Sequence, residues 1–339
     1  MSSSNLFGEA SQFQSPAVSP QPHYDLRPLS TGEVLDRTFQ IYRSRFVLFA
    51  GLALLPAAVN VVTTALRLMY AAHQDTHLHA GAAYLRVQML TAALVLASSL
   101  ISLVLYGITQ AATTWGVSAV YLGEAASIKA AYGVAFKHWF RYTVIVLRQV
   151  WAFIWLPILL GMGGVWTSVY SKSHGGSFRW FTILLLALAF FSMIYGLWAY
   201  IRISLAVPAA VVESLGVNAA VRRGAQLLAS RKVRILLLLL FLLALYLVVG
   251  MVQSPLLILM VRKRGTEMFF TQAVSLAISF VAATLIGPVG AIALCLFYFD
   301  ERVRREGFDI EWMMRKLAPA TDGGPGEPPQ AQENSAESA

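Results

Sequence analysis

Arg148 and Arg202 are the first residues to ask for chemistry, because each lies inside or beside a long apolar stretch where an unpaired charge is expensive. A guanidinium so placed can grip a lipid phosphate through paired N–H donors. Alternatively, it can carry its charge out to the headgroups along its aliphatic stem, with no ligand involved. Both readings place the side chain near the same membrane face. No Asp or Glu falls within any of the apolar stretches, so the usual partner of a proton relay or a sodium-coupled transporter is missing from them.

A second cluster follows the last apolar stretch: Asp300, Glu301, Arg302, Arg304, Arg305, Glu306 and, past Gly307, Asp309. Asp300 with Arg304, Glu301 with Arg305, and Arg302 with Glu306 stand at the four-residue spacing of helix neighbours. They predict a helix that leaves the membrane and stops at Gly307, with Asp309 capping a short helix to Leu317. The charges read either as a solvated helix end or as a docking segment for a partner, carried by Asp300, Arg302, Arg304, Arg305, Glu306 and Asp309.

His73, His77 and His79, with Asp75 between them, have a spacing that could offer imidazoles to zinc on a helix. No HExxH motif accompanies them, and a polar external loop is the plainer reading. No metal and no cofactor is assigned. GxSxG, GxxxxGK[ST], CxxC and GxGxxG are all missing, so hydrolase, NTPase, thiol-redox and dinucleotide chemistry lack their minimum parts, and the balance leans against an enzyme.

The elements that must position these residues are apolar helices. Charged residues make up 13% of the 339 residues and apolar ones 57%, with a mean hydropathy of +0.63, a composition suited to lipid. Charge-free windows run from Phe46 to Leu66, Val87 to Gly123, Gln149 to Ser171, Trp180 to Ile201, Ile235 to Val261 and Met268 to Phe299. Each exceeds the ~18 residues that mark a transmembrane helix, so the fold class expected is an all-α integral membrane protein of six spans. The second window is too long for one crossing and carries Thr109, Gln110, Thr113 and Thr114, which predicts a span near 88–112 and an extension packed against protein. Pro56, Pro157, Pro255 and Pro288 predict bends or breaks in four spans. Ala283, Gly287 and Ala291, four apart, predict close helix packing in the sixth. Cys295, the single cysteine, forms no intramolecular disulfide and reads as a small buried apolar side chain.

The net charge of +9 resides in short loops, as a topology signal and not as a nucleic-acid surface. Basic residues concentrate before the first span (Arg27, Arg37, Arg43, Arg45), after the second (Lys129, Lys137, Arg141), after the fourth (Arg222, Arg223, Arg231, Lys232, Arg234) and after the sixth. They outnumber those of the opposite loops, which predicts cytoplasmic N and C termini. No cleavable signal peptide is expected, because the first apolar run starts only at Phe46. Residues 1–25 and 318–339 are polar or rich in Pro, Gly and Glu and are expected to be disordered tails of a single membrane domain, 26–317.

Three amphipathic helices at the cytoplasmic interface are expected, one before each odd-numbered span. The first is opened by a capping box at Ser30 and Glu33, with Leu35, Phe39, Tyr42 and Phe46 as its apolar side. The second has Ser127 as cap and Ile128, Tyr132, Ala135, Phe136, Trp139 and Phe140 on one face. The third sets Val217, Val221 and Leu228 against Arg222, Arg223 and Gln226, with Asn218 as cap. Phe46, Phe140 and Val233 recur at near-equal spacing, which predicts three repeats of about 29–121, 122–214 and 215–308, each an interfacial helix and a hairpin of spans.

The segment Arg27-Pro28-Leu29-Ser30-Thr31-Gly32-Glu33-Val34-Leu35-Asp36-Arg37-Thr38-Phe39, with Tyr42 and Arg43, and the segment from Asp300 to Asp309 resemble a bacterial membrane family. This is the membrane domain of glycerophosphoryl diester phosphodiesterases and its stand-alone relatives. The resemblance in layout covers 26–317. It implies the bacterial cytoplasmic (inner) membrane, but the His-Arg-Gly motif of the enzyme is missing here, so the phosphodiesterase activity does not transfer.

Together these readings predict a non-enzymatic scaffold or accessory subunit for an envelope or lipid-processing partner, in contact with membrane lipids, its oligomeric state open. One rival is a transporter or channel, suggested by the polar Asn60, Gln110, Gln149 and Gln253. Another is a membrane-embedded enzyme acting on phospholipid headgroups through Arg148 and Arg202.

Overall fold

The computed structural model describes residues 28–72, 82–173, 179–228, 232–262, 266–308, 310 and 314. The two tails, the His73, His77 and His79 loop, and Asp309 lie outside the described residues. Among the described residues every regular element is a helix.

Ser30 starts the first of them. Its hydroxyl accepts the Glu33 N–H at 3.2 Å and the Glu33 carboxylate accepts the Ser30 N–H at 2.6 Å, so α1 (Thr31–Ser44) begins at its capping box. The chain turns at Arg45 into the long pair α2 (Phe46–Ala72) and α3 (Ala82–Tyr121). Ser127 accepts the Ala130 N–H at 3.2 Å to open α4 (Ile128–Lys137), which leads into α5 (Trp139–Ser173) and α6 (Arg179–Ile203). A short α7 (Ala206–Val212), which the sequence pattern does not signal, precedes α8 (Val217–Leu228), α9 (Lys232–Arg262) and α10 (Thr266–Glu306). The chain order is thus a short helix followed by two long ones, three times over, with α7 inserted before the third set.

The six long helices are each long and apolar enough to cross a membrane, and five of them contain a whole charge-free window, while α3 ends at Tyr121, two residues short of the second window's end. The protein is an all-α, multi-pass membrane protein. Pro56, Pro157, Pro255 and Pro288 all sit inside continuous helices, so none of them breaks its span.

At 41 residues, α10 is about 60 Å long at ~1.5 Å per residue, roughly twice a hydrocarbon core of about 30 Å. Burial divides it. From Ala291 to Glu301 every side chain is buried, whereas the half before Gly287 leaves Phe270, Val281 and Leu285 exposed. In α3, likewise, Leu90, Leu94, Leu96 and Leu100 are exposed and Ile108, Ala111, Ala112, Thr113, Thr114 and Val117 are buried. These two buried halves form the centre of a core at one end of the bundle, closed by α1, α4, α7 and α8. Phe49, Leu52, Tyr142, Leu205, Leu227, Phe297 and Phe299 fill it, each worth about 1.5–3 kcal/mol relative to exposure in water. Cys295 is buried there as a free thiol, its Sγ 3.6 Å from the Thr114 carbonyl oxygen.

The short helices each present a protein-facing stripe that differs from the apolar face read in the sequence. In α1, Val34, Thr38 and Ile41 are buried, while Phe39 is 42% exposed and Phe46, at the start of α2, 43%. Thr38 fits because its hydroxyl donates to the Val34 carbonyl at 2.7 Å and so needs no partner outside its own helix. In α4 the buried positions are Ala131 and Ala135, and in α8 they are Ala220, Gly224, Leu227 and Leu228. Phe39 of α1 and Ile128, Val134 and Phe136 of α4 remain exposed, where a membrane would cover them.

Glycine sets two of the closest approaches. A Cβ on Gly196 of α6 would lie 2.3 Å from the Phe153 carbonyl oxygen of α5, and one on Gly224 would lie 3.0 Å from the backbone of Leu205 and Ala206. Gly287, by contrast, has nothing within 4 Å of that point, so the small residues Ala283, Gly287 and Ala291 open a cavity instead of seating a neighbouring helix.

Candidate functional site

Asp300 and Glu301 have fully buried side chains, an expensive place for two carboxylates unless cations meet them. Arg234, in the first turn of α9, supplies one cation to both, at 2.8 Å from Asp300 and 3.4 Å from Glu301. Arg304 and Arg305 reach back one helical turn, to Asp300 at 3.0 Å and to Glu301 at 3.4 Å, as their spacing predicts. Asp300 also accepts the Leu29 N–H at 2.6 Å, and the Leu29 carbonyl accepts from Arg234 at 2.7 Å and from Arg304. The residue before the first capping box is thereby tied to the end of the last helix.

A second ionic group adjoins the first. Glu213, between α7 and α8, accepts from Arg223 at 3.0 Å and from the Tyr298 hydroxyl, and lies 3.7 Å from Arg302. Glu306 pairs with Arg223 at 2.6 Å and with Arg302 at 3.2 Å. Burial works against the Arg223 charge, but its hydrogen bonds to Glu306 and Glu213 outweigh that and raise its pKa above the ordinary value. Arg302 also lies 4.4 Å from the centre of the Phe308 ring, and Gly307, with φ +62°, ends α10 as expected. The charges expected to dock a partner, Asp300, Arg302, Arg304, Arg305 and Glu306, are thus engaged with α1, α8, α9 and the loop before α8. Arg305 and Glu306 keep the most exposure, at 32% and 29% of their side chains.

Arg148 and Arg202 come together at a different place. With Arg222 of α8 and Lys232 of α9 they line a groove of about 800 Å³ between α5, α6, α8 and the start of α9. Arg148 donates to the Asn218 side-chain oxygen at 2.6 Å, so Asn218 is not the cap of α8 but its second residue, spent on joining α8 to α5. Arg202 and Lys232 flank one indole, that of Trp198, at 5.9 and 5.4 Å from the ring centre. Among the described residues no carboxylate lines this groove and none pairs with its four cations. Every cation of the neighbouring ionic groups has an acid; these four do not.

A separate apolar crevice shares no lining residue with the groove. On α6, Arg202, Trp198, Ile194 and Phe190 follow each other at four-residue steps, and on α9 Lys232 is followed by Leu236 and Leu240 at the same step. Ile194, Phe190, Leu236 and Leu240 line a cavity of about 700 Å³ between α3, α5, α6, α9 and α10.

Arg222, Arg223, Lys232 and Arg234 enter the sequence reading as topology charges, the first two also as the polar side of an amphipathic helix, Trp198 enters it as an aromatic anchor near a span end, and Glu213 carries no role in it. The signal for Trp198 was its four-residue spacing from Arg202, and for Arg234 its place in the first turn after a loop. Of the four polar residues flagged for transport, Gln149 donates to the Ile203 carbonyl at 2.9 Å and ties α5 to α6, whereas Asn60, Gln110 and Gln253 line one cavity. Among the described residues no three His, Cys, Asp or Glu gather as a metal site. No protein-family model, curated protein or solved structure matches the chain.

Proposed function

We propose that the chain is a non-enzymatic protein of the bacterial inner membrane that holds anionic phospholipid at the cytoplasmic face, as an accessory subunit or scaffold for a lipid-handling or envelope partner. The observation that carries this reading is the convergence of Arg148, Arg202, Arg222 and Lys232 on one groove with no acid in its lining. Guanidinium groups offer the paired donors that suit phosphate, and each cation near an anionic membrane surface adds about 1 kcal/mol of attraction. The excess of Lys and Arg on the loops beside α1, α4 and α8 supports a cytoplasmic location for the groove. With that orientation the three short helices lie in the interface and each introduces a hairpin of spans, as three repeats would.

The resemblance to the phosphodiesterase membrane domain fits the same reading. The two segments that carry it are the ones joined through Leu29, Asp300 and Arg304, which supports a structural closure as the reason for their residue types. The test is native mass spectrometry of the protein released from nanodiscs of phosphatidylcholine with or without phosphatidylglycerol. Retained phosphatidylglycerol should fall about tenfold or more in the Arg148→Ala, Arg202→Ala double variant, the loss expected from two charge-assisted contacts. Equal retention by the double variant would remove the groove from consideration.

A further inference from the structure

A partly open cavity of about 610 Å³ lies between α2, α3, α9 and α10, with Asn60 and Tyr246 exposed at its rim, and its chemistry is unlike that of the groove. Among the described residues its lining holds no group that is charged at neutral pH, yet Asn60, Gln110, Tyr246, Gln253 and Ser279 all face it. Some of their hydrogen-bonding capacity is used: Gln253 donates to the Ser279 hydroxyl at 2.8 Å, and Gln110 donates to the Tyr106 hydroxyl at 2.6 Å. The side-chain oxygens of Gln110 and Gln253, the Asn60 amide N–H groups and the Tyr246 hydroxyl have no partner among the described residues. In a span, such open donors and acceptors are costly unless a guest meets them.

The wall of this cavity is shared. Tyr106, Gln110, Tyr246 and Gly287 also line the apolar cavity of about 700 Å³ on the other side, where Leu, Ile and Phe side chains predominate. Gly287 brings no side chain to this boundary, and a Cβ there would meet nothing within 4 Å. One polar chamber and one apolar chamber therefore meet at a boundary that one of its four residues leaves bare.

We propose that the two chambers together hold an uncharged, hydroxyl-bearing lipid, its headgroup between Asn60 and Gln253 and its hydrocarbon chain passing Gly287 into the apolar chamber. A hydroxyl both donates and accepts, as the open amide groups require, and the lack of cations gives a phosphate no counter-charge. The site is independent of the basic groove, which would serve a lipid of opposite character.

A photoreactive, clickable diacylglycerol in nanodiscs tests this. Crosslinks should map to α9 and α10 around Tyr246, Gln253 and Ser279 and be competed by unlabelled diacylglycerol. They should drop about three- to tenfold in Gln253→Leu, which removes one hydrogen-bonding group, and in Gly287→Leu, which fills the passage. Ser279→Ala, a milder change, should give a smaller loss in the same direction, and Arg202→Ala should change nothing. Unchanged labelling in Gln253→Leu and Gly287→Leu would overturn the proposal. So would labelling confined to the outer helix faces, as would equal labelling of these residues by a photoreactive phosphatidic acid.

Discussion

Arg234 is the residue on which most of the packed end of the bundle depends. It meets Asp300, Glu301, Thr31 and the Leu29 carbonyl, and the two carboxylates it faces are fully buried. Removing one partner of a buried pair costs about 3–5 kcal/mol, because the remaining charge stays in a poor solvent. Arg234→Ala should therefore lower stability by about that much, read as the midpoint of thermal unfolding in detergent. Arg305→Ala should cost no more than about 1 kcal/mol, because Arg305 is the most exposed cation of the group. Equal effects of the two substitutions would show that burial does not set their weight. At Gly196, the 2.3 Å approach of the Phe153 carbonyl leaves no room for even a methyl group. Gly196→Ala should destabilise the α5–α6 pair by about 1–3 kcal/mol, whereas Gly250→Ala, in open space, should be tolerated.

At the scale of elements, membrane sidedness can be read by cysteine reactivity in a Cys295→Ala background. Gly224 is a poor reporter, since it is pressed against Leu205 and Ala206, but Gly133 of α4 and Gly216 before α8 are exposed and uncrowded. Cysteines at 133 and 216 should react from the cytoplasmic side and cysteines at 175 and 265 from the other. A reversed pattern would invert the orientation proposed above. The six long helices were legible because hydrocarbon imposes a length and forbids charge, two constraints any window can be checked against. The starts of α1 and α4 were legible because caps are local, whereas Asn218 misled because its partner, Arg148, is remote in sequence. The protein-facing stripe of α1 was missed for a different reason. In a membrane both the lipid side and the protein side accept apolar residues, so hydrophobicity alone cannot say which side Val34 and Ile41 take. The meeting of Arg148 with Arg202 was likewise invisible, since nothing in their spacing says that α5, α6 and α8 converge.

For the whole molecule, packing is concentrated at the end where α1, α4, α7 and α8 gather, while Leu90, Trp166, Phe190 and Met251 towards the other end are exposed. The far halves therefore depend on the surrounding solvent of acyl chains for much of their contact. Adding phospholipid to detergent-purified protein should raise its apparent stability by about 2–3 kcal/mol once lipid reaches ~100 times its dissociation constant. A midpoint that does not respond to lipid would mean that the far halves are held by protein contacts alone. The tie between Leu29 and Asp300 spans 271 positions of sequence, and it bears on how the chain is made. At ~5–20 residues per second, the partner of Leu29 is synthesised roughly 15–50 seconds after Leu29 itself. Through that interval the first four spans can be inserted while the leading segment waits, so closure of the packed end reports that translation has passed the last helix. A nascent chain cut short before Asp300 would leave that end unclosed, with Leu29 lacking its carboxylate partner.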